Sequence, residues 1–230
     1  SPGVAMTPID EVYSLAWNQS LAHVFASAGS SGYTSIWDLK AKKEVLHLSY
    51  TSPSTGAKNH LSVVEWHPSN STKIATATGN DNDPVILVWD LRNAKAPLQA
   101  MSQGHSKGIL SLDWCKQDEN LLLSSGRDNT CALWNPQTAQ KLSQFPTRGN
   151  WCFKTKFAPE APDLFASASL DNKIQVQTLQ NLTNKLDLED IVSKQQESEA
   201  DFWNNVSEQG CNEKPTVIKM QAPSWYGNRS

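Results

Sequence analysis

Ser35-Ile36-Trp37-Asp38, Leu87-Val88-Trp89-Asp90 and Ala132-Leu133-Trp134-Asn135 repeat one pattern, a short apolar strand that ends on Trp and then Asp or Asn. A degraded fourth copy follows at Ile174-Gln175-Val176-Gln177. The anchor positions 37, 89, 134 and 176 stand 52, 45 and 42 residues apart, bracketing the roughly 40–45-residue period of a four-stranded sheet repeated about an axis. Upstream of each anchor lies a strand of alternating apolar residues, at 12–17, 63–66, 109–114 and 151–157. A strand of small residues comes next, at 24–29, 74–79, 121–126 and 164–169. Period-two alternation bounded by Gly, Asn and Asp marks strands and turns. Small side chains on the second strand let neighbouring sheets pack closely around a central channel. The order is the same in every unit, so the fold class is all-β, built of β-propeller blades.

The third unit is the most complete. It opens on Gly104-His105 and runs through Ser124, Asp128 and Trp134 at the spacing of a WD repeat, which it resembles. His, Ser and Asp in one module invite comparison with a nucleophile, a base and its orienter. The resemblance implies instead a structural relay from the turn Asp through His and Ser to the Trp indole N–H, which gives that lone donor a buried partner. The other units depart from the pattern. His60 follows Asn59 rather than Gly, and the fourth unit has Asp171 but neither the leading His nor the Trp. Stability is therefore expected to rest mainly on apolar packing between blades. Residues from about 10 to 179 make four units, whereas common closed rings of this type have seven and need about 300 residues. The expectation is about four blades of a seven-bladed propeller, with earlier blades upstream.

Composition excludes several classes of function. The net charge is −3, with 38% hydrophobic and 19% charged residues, which leaves no electrostatic footprint for nucleic acid. No apolar run approaches a membrane span and no signal peptide is visible. Cys115, Cys131, Cys152 and Cys211 lack zinc-site or redox-motif spacing, so no metal and no cofactor are expected. The Asn-x-Ser/Thr sequons are read as unoccupied, and no phosphate loop, metalloprotease helix or nucleophile elbow is present. The chain is read as a non-enzyme.

Three segments follow from composition: residues 1–180 form the partial WD-repeat propeller, 181–214 an acidic linker, and 215–230 a further strand. The linker sets three lysines against eight acids, a net charge of −5, and is expected to be partly disordered or to hold one short helix. Beyond it, Val217, Lys219 and Gln221 alternate with Ile218, Met220 and Ala222 along an extended apolar stretch that Pro223 stops, and Trp225-Tyr226 offers a large apolar surface. A lone strand of this kind must add to a sheet edge of its own propeller or of a partner.

At this point the resemblance becomes specific. The Val88-Trp89-Asp90-Leu91-Arg92-Asn93-Ala94-Lys95-Ala96-Pro97-Leu98 ending, the Gly104-to-Cys115 stretch, Arg127-Asp128-Asn129-Thr130, and Pro146-Thr147-Arg148-Gly149-Asn150-Trp151-Cys152-Phe153 together resemble the amino-terminal propeller of the large outer-cage subunit of the COPII vesicle coat, the Sec thirty-one type. Ala222-Pro223-Ser224-Trp225-Tyr226-Gly227 resembles the opening of that family's insertion blade. The resemblance implies a structural role in the COPII outer cage, driving vesicle budding in ER-to-Golgi transport. The implied partners are copies of itself at cage vertices and a small six-bladed propeller subunit, the Sec thirteen type, reached through Val217, Ile218, Met220, Pro223, Trp225 and Tyr226. It further implies indirect contact with the inner coat and a cytoplasmic location, peripheral on COPII vesicle and endoplasmic reticulum membrane. A competing reading takes Trp89-Asp90-Leu91-Arg92 as the short motif of WD-repeat substrate receptors of cullin ubiquitin ligases, in which the Arg faces the adaptor. Catalysis by His105 or His60 has no cluster of unsatisfied acids or ligands behind it.

Overall fold

The computed structural model describes residues 3–8, 10–147 and 150–179. These residues form four antiparallel sheets in chain order. The first holds β1 (Val12–Trp17), β2 (Val24–Gly29), β3 (Tyr33–Asp38), β4 (Lys43–Thr51) and the short β5 (Lys58–Asn59). The second holds β6 (Leu61–Trp66), β7 (Lys73–Thr78), β8 (Ile86–Asp90) and β9 (Gln99–Met101), with a 3-10 turn at Leu91–Asn93 between its last two strands. The third holds β10 (Ile109–Trp114), β11 (Leu122–Gly126), β12 (Thr130–Asn135) and β13 (Gln140–Pro146). The fourth holds β14 (Cys152–Ala158), β15 (Ala161–Ser169) and β16 (Ile174–Thr178). In each sheet the strands lie side by side in sequence order, the meander of a propeller blade.

The sheets stack through three apolar seams whose membership follows the pleat. Between the first and second sheets lie Val24, Ala26, Ile36 and Leu48 against Val64, Trp66, Leu87 and Trp89. Ala75, Ala77, Ile86 and Val88, from the opposite face of the second sheet, meet Leu112, Trp114, Leu122 and Trp134 of the third. Leu123, Cys131 and Leu133 then meet Cys152, Phe157 and Phe165 of the fourth. Successive residues point to opposite faces of a strand, so a central blade carries two apolar faces and contributes to two seams. That is why strands such as β7 and β11 are buried along their whole length.

The two outer blades each leave one face bare. Leu15 is 65% exposed, whereas Val64 and Leu112 at the same place in β6 and β10 are 2% and 1% exposed. At the other end Ile174 and Val176 are 76% and 69% exposed, whereas Cys131 and Leu133, their counterparts in β12, are fully buried.

The fourth repeat requires a correction of register. Trp37, Trp89 and Trp134 lie opposite Phe25, Ile74 and Leu122. The residue opposite the equivalent Phe165 is Gln177, and Val176 lies opposite Ala166. The anchor position of the fourth unit is thus 177 rather than 176. Val176 drew the sequence alignment because it is apolar, while cross-strand pairing places a polar residue where the other blades have Trp.

Candidate functional site

In the third blade four side chains lie in one continuous chain of polar contacts. Trp134 Nε1 donates to Ser124 Oγ at 2.8 Å, Ser124 Oγ lies 2.7 Å from His105 Nε2, and His105 Nδ1 lies 3.1 Å from both carboxylate oxygens of Asp128. Ser124 is completely buried, and Trp134 is 2% exposed. A proton order consistent with these contacts runs in one direction: indole N–H to Ser oxygen, Ser O–H to imidazole, imidazole N–H to carboxylate. Burial pushes the Asp128 carboxyl up, but hydrogen bonds from His105, the Ser106 amide and Thr130 outweigh it and hold the group below its ordinary value.

Local sequence explains how the relay is positioned. Ser124 sits in β11, Trp134 in β12 and Asp128 in the tight turn between them, where Asn129 takes a left-handed φ of 61°. Asn172 repeats this in the fourth blade at 59°, a conformation that Asn tolerates better than most residues. Gly104 is required by packing. A Cβ there would overlap Cζ2 and Cη2 of the Trp134 indole, so the chain reaches His105 by passing close against the ring.

Truncated versions occupy the first and second blades. Trp37 Nε1 donates to Ser27 Oγ at 2.9 Å and Trp89 Nε1 to Thr76 Oγ1 at 2.8 Å. Neither Ser27 nor Thr76 was picked out by the sequence reading, although Ser27 precedes its Trp by the same ten residues as Ser124. The longer turn in the second blade hides Thr76. His60 is exposed and belongs to no relay, while the buried Asn59 before it donates to Asp83 at 2.9 Å. In the fourth blade Asp171 Oδ1 has no hydrogen-bond partner among the described residues, as expected where His and Trp are missing.

This arrangement does not expose a nucleophile. Ser124 Oγ is enclosed between an indole, an imidazole and the Ala132 carbonyl, and no space adjoins it for a reacting carbonyl. Among the described residues no group of three or more His, Cys, Asp or Glu could hold a metal. A cleft of about 720 Å³ does open beside the inner strands, lined by Tyr13, His60, Ser62, Asp81, Ile109 and Arg127 among others. Its charges are already paired. Asp81 accepts from the Gly108 amide at 2.8 Å and from Arg127 at 3.4 Å.

A second polar constellation was not anticipated. Glu65, Asp113 and Lys156 each precede the last aromatic residue in the inner strand of their blade. Asp113 accepts from Lys156 Nζ and, at 2.7 Å, from the Phe157 amide, linking the third blade to the fourth beneath the apolar seam. Burial pushes the Glu65 carboxyl up to about 7, with Lys156 opposing the shift.

Arg92 does not project freely. Its Nε donates to both oxygens of Asp90 at 2.9 and 3.0 Å, so the Trp-Asp-Leu-Arg sequence closes on itself at the end of the blade. Val217, Ile218, Met220, Pro223, Trp225 and Tyr226, with the whole 181–214 linker, lie outside the described residues.

Comparison with known proteins agrees with the repeat pattern. The family model described as "WD domain, G-beta repeat" matches residues 96–135, the stretch that ends on Trp134-Asn135. Over its whole length the chain is 81% identical to protein transport protein SEC31 of Eremothecium gossypii and 74% identical to that of Saccharomyces cerevisiae. It spans about a fifth of the length of these curated relatives, 19% and 18%. A solved chain from "COPII on membranes, outer coat vertex" superposes with a TM-score of 0.75 at 68% identity, covering all of this chain and 54% of that one. A chain from "The structure of the COPII coat assembled on membranes" matches equally well, with 30% of it covered. No comparison gives support to a cullin ligase receptor. The blades, the relay and the whole-length identity lead to one conclusion: this chain is a WD-repeat propeller segment of the SEC31 type.

Proposed function

We propose that this chain is part of a structural subunit of the COPII outer coat and that it works by propeller-to-propeller assembly, without catalysis. The observation that carries the proposal is its whole-length match, at 68% identity, to a chain of an outer coat vertex. The fold supports it physically. Four stacked blades with doubly apolar interiors make a stiff body, and the bare faces at Leu15 and at Ile174 and Val176 are the surfaces on which further blades would close the ring. A rigid propeller presents its loops at fixed angles. Many weak symmetric contacts between such bodies sum to a stable lattice while each contact stays reversible.

The tail is the second part of the proposal. Residues 217–222 would add as a strand to an open small propeller of the Sec thirteen type, with Pro223, Trp225 and Tyr226 as the apolar anchor. The protein would then act on the cytoplasmic side of the endoplasmic reticulum, peripheral to the membrane through the inner coat. Among the described residues no helix is long and apolar enough to cross a membrane. The test is reconstitution on membranes with a SEC31-type subunit whose corresponding segment is replaced by this chain. Regular outer-coat vertices are expected. Folded subunits that are recruited but make no vertices would refute the assembly role, and unchanged capture of the small propeller after Trp225→Ala would refute the placement of the anchor.

A further inference from the structure

The third seam contains two thiols that the assembly role does not use. Cys131 of β12 and Cys152 of β14 are both free and fully buried, and their Sγ atoms lie 3.6 Å apart. They belong to different blades, so the contact crosses the seam. Both backbones are held in ladders: Cys131 pairs with Ser125 and Phe145, and Cys152 pairs with Ser169. Ser125 Oγ also donates to the Cys152 carbonyl at 3.1 Å. The fold therefore presents the two sulfurs to each other from rigid elements. Cys115 is buried in the same cluster, but its Sγ faces Gln117 Oε1 at 3.7 Å, which makes it an internal control.

We propose that Cys131 and Cys152 form a reversible oxidation site, at which a hydroperoxide converts the facing thiols into a disulfide that staples the third blade to the fourth. The roles of the two sulfurs differ. The contact between the two sulfurs, in which either can donate, favours the thiolate at Cys152 and lowers that thiol to about 7, while burial pushes it up. Cys131 is pushed up by the same contact and by burial. Within this proposal Cys152 is the attacking sulfur. Its thiolate forms an S–O bond with the terminal peroxide oxygen as the O–O bond breaks, and the departing alkoxide takes a proton to leave as an alcohol, or as water from hydrogen peroxide. The Cys131 sulfur then loses its proton and attacks Cys152. The S–S bond forms, the S–O bond breaks, and the hydroxyl leaves as water. Two electrons pass from the thiols to the peroxide. Closure brings the sulfurs from 3.6 Å to about 2.0 Å. A thiol reductant reverses the step, as suits a sensing disulfide in a reducing compartment.

The experiment treats the intact folded protein with hydrogen peroxide, blocks remaining thiols by alkylation, and maps non-reduced peptides by mass spectrometry. The expected product is a Cys131–Cys152 linked peptide that disappears with dithiothreitol, persists in Cys115→Ser, and accompanies a reductant-reversible rise in Tm. In Cys131→Ser, which lacks the resolving thiol, a sulfenic acid on Cys152 should be trapped by a dimedone-type nucleophile. Linkage of either cysteine to Cys115 or Cys211, over-oxidation of Cys152 without linkage, or thiols that become reactive only after unfolding would each overturn the proposal.

Discussion

Replacing Ser124 with alanine removes the atom on which the third blade's relay turns, and the structure allows the consequence to be graded against the other blades. Ser124 Oγ is the partner of two buried groups, Trp134 Nε1 at 2.8 Å and His105 Nε2 at 2.7 Å. Its removal strands both in a site with no room for water. A buried polar group left without its partner costs about 1–3 kcal/mol, so Ser124→Ala should lose about 3 kcal/mol. Ser27→Ala makes the same chemical change in the first blade, but Ser27 serves only Trp37 Nε1 at 2.9 Å and is partly exposed. Its loss should be about 1 kcal/mol. The assay is urea denaturation followed by circular dichroism, comparing midpoints at unchanged slope. Adding His105→Ala to Ser124→Ala should cost less than the sum of the single changes, because the two residues share one chain of hydrogen bonds. Equal losses for the two serine variants, or additive behaviour of Ser124 with His105, would refute the relay as a unit.

Two further outcomes follow from groups of different kinds. Burial raises Glu65 from an ordinary value of 4.5 to about 7, so the folded state holds its proton more tightly than the unfolded chain between those pH values. Its contribution is most favourable below pH 4.5 and is lost as pH rises through about 7. Glu65→Gln should therefore stabilise the protein by about 3 kcal/mol at pH 8 and confer no advantage near pH 4; a gain independent of pH in denaturation curves would show that ionisation is not the cause. Gly104→Ala places a methyl group against the Trp134 indole and should cost about 2–3 kcal/mol by displacing the ring from Ser124. The indole N–H resonance of Trp134 would shift with it, and a neutral change in both midpoint and resonance would show that the ring can give way.

Much of the blade was legible in the chain because it depends on short offsets. The Trp-Asp endings, the small-residue strands and the Gly104-to-Trp134 relay all lie within one hairpin or one repeat, and local pattern determines which strand pairs with its successor. The ten-residue interval from Ser27 to Trp37 carried the same signal as that from Ser124 to Trp134 and could have been found. Tertiary structure alone decided the rest. The Asp113 contacts with Lys156 and Phe157 join residues 43 and 44 positions apart, and the Cys131–Cys152 contact joins residues 21 apart on separate sheets. Such meetings depend on how one sheet is turned and shifted against the next. That rotation comes from the packing of side chains across the whole seam, so no single repeat carries it.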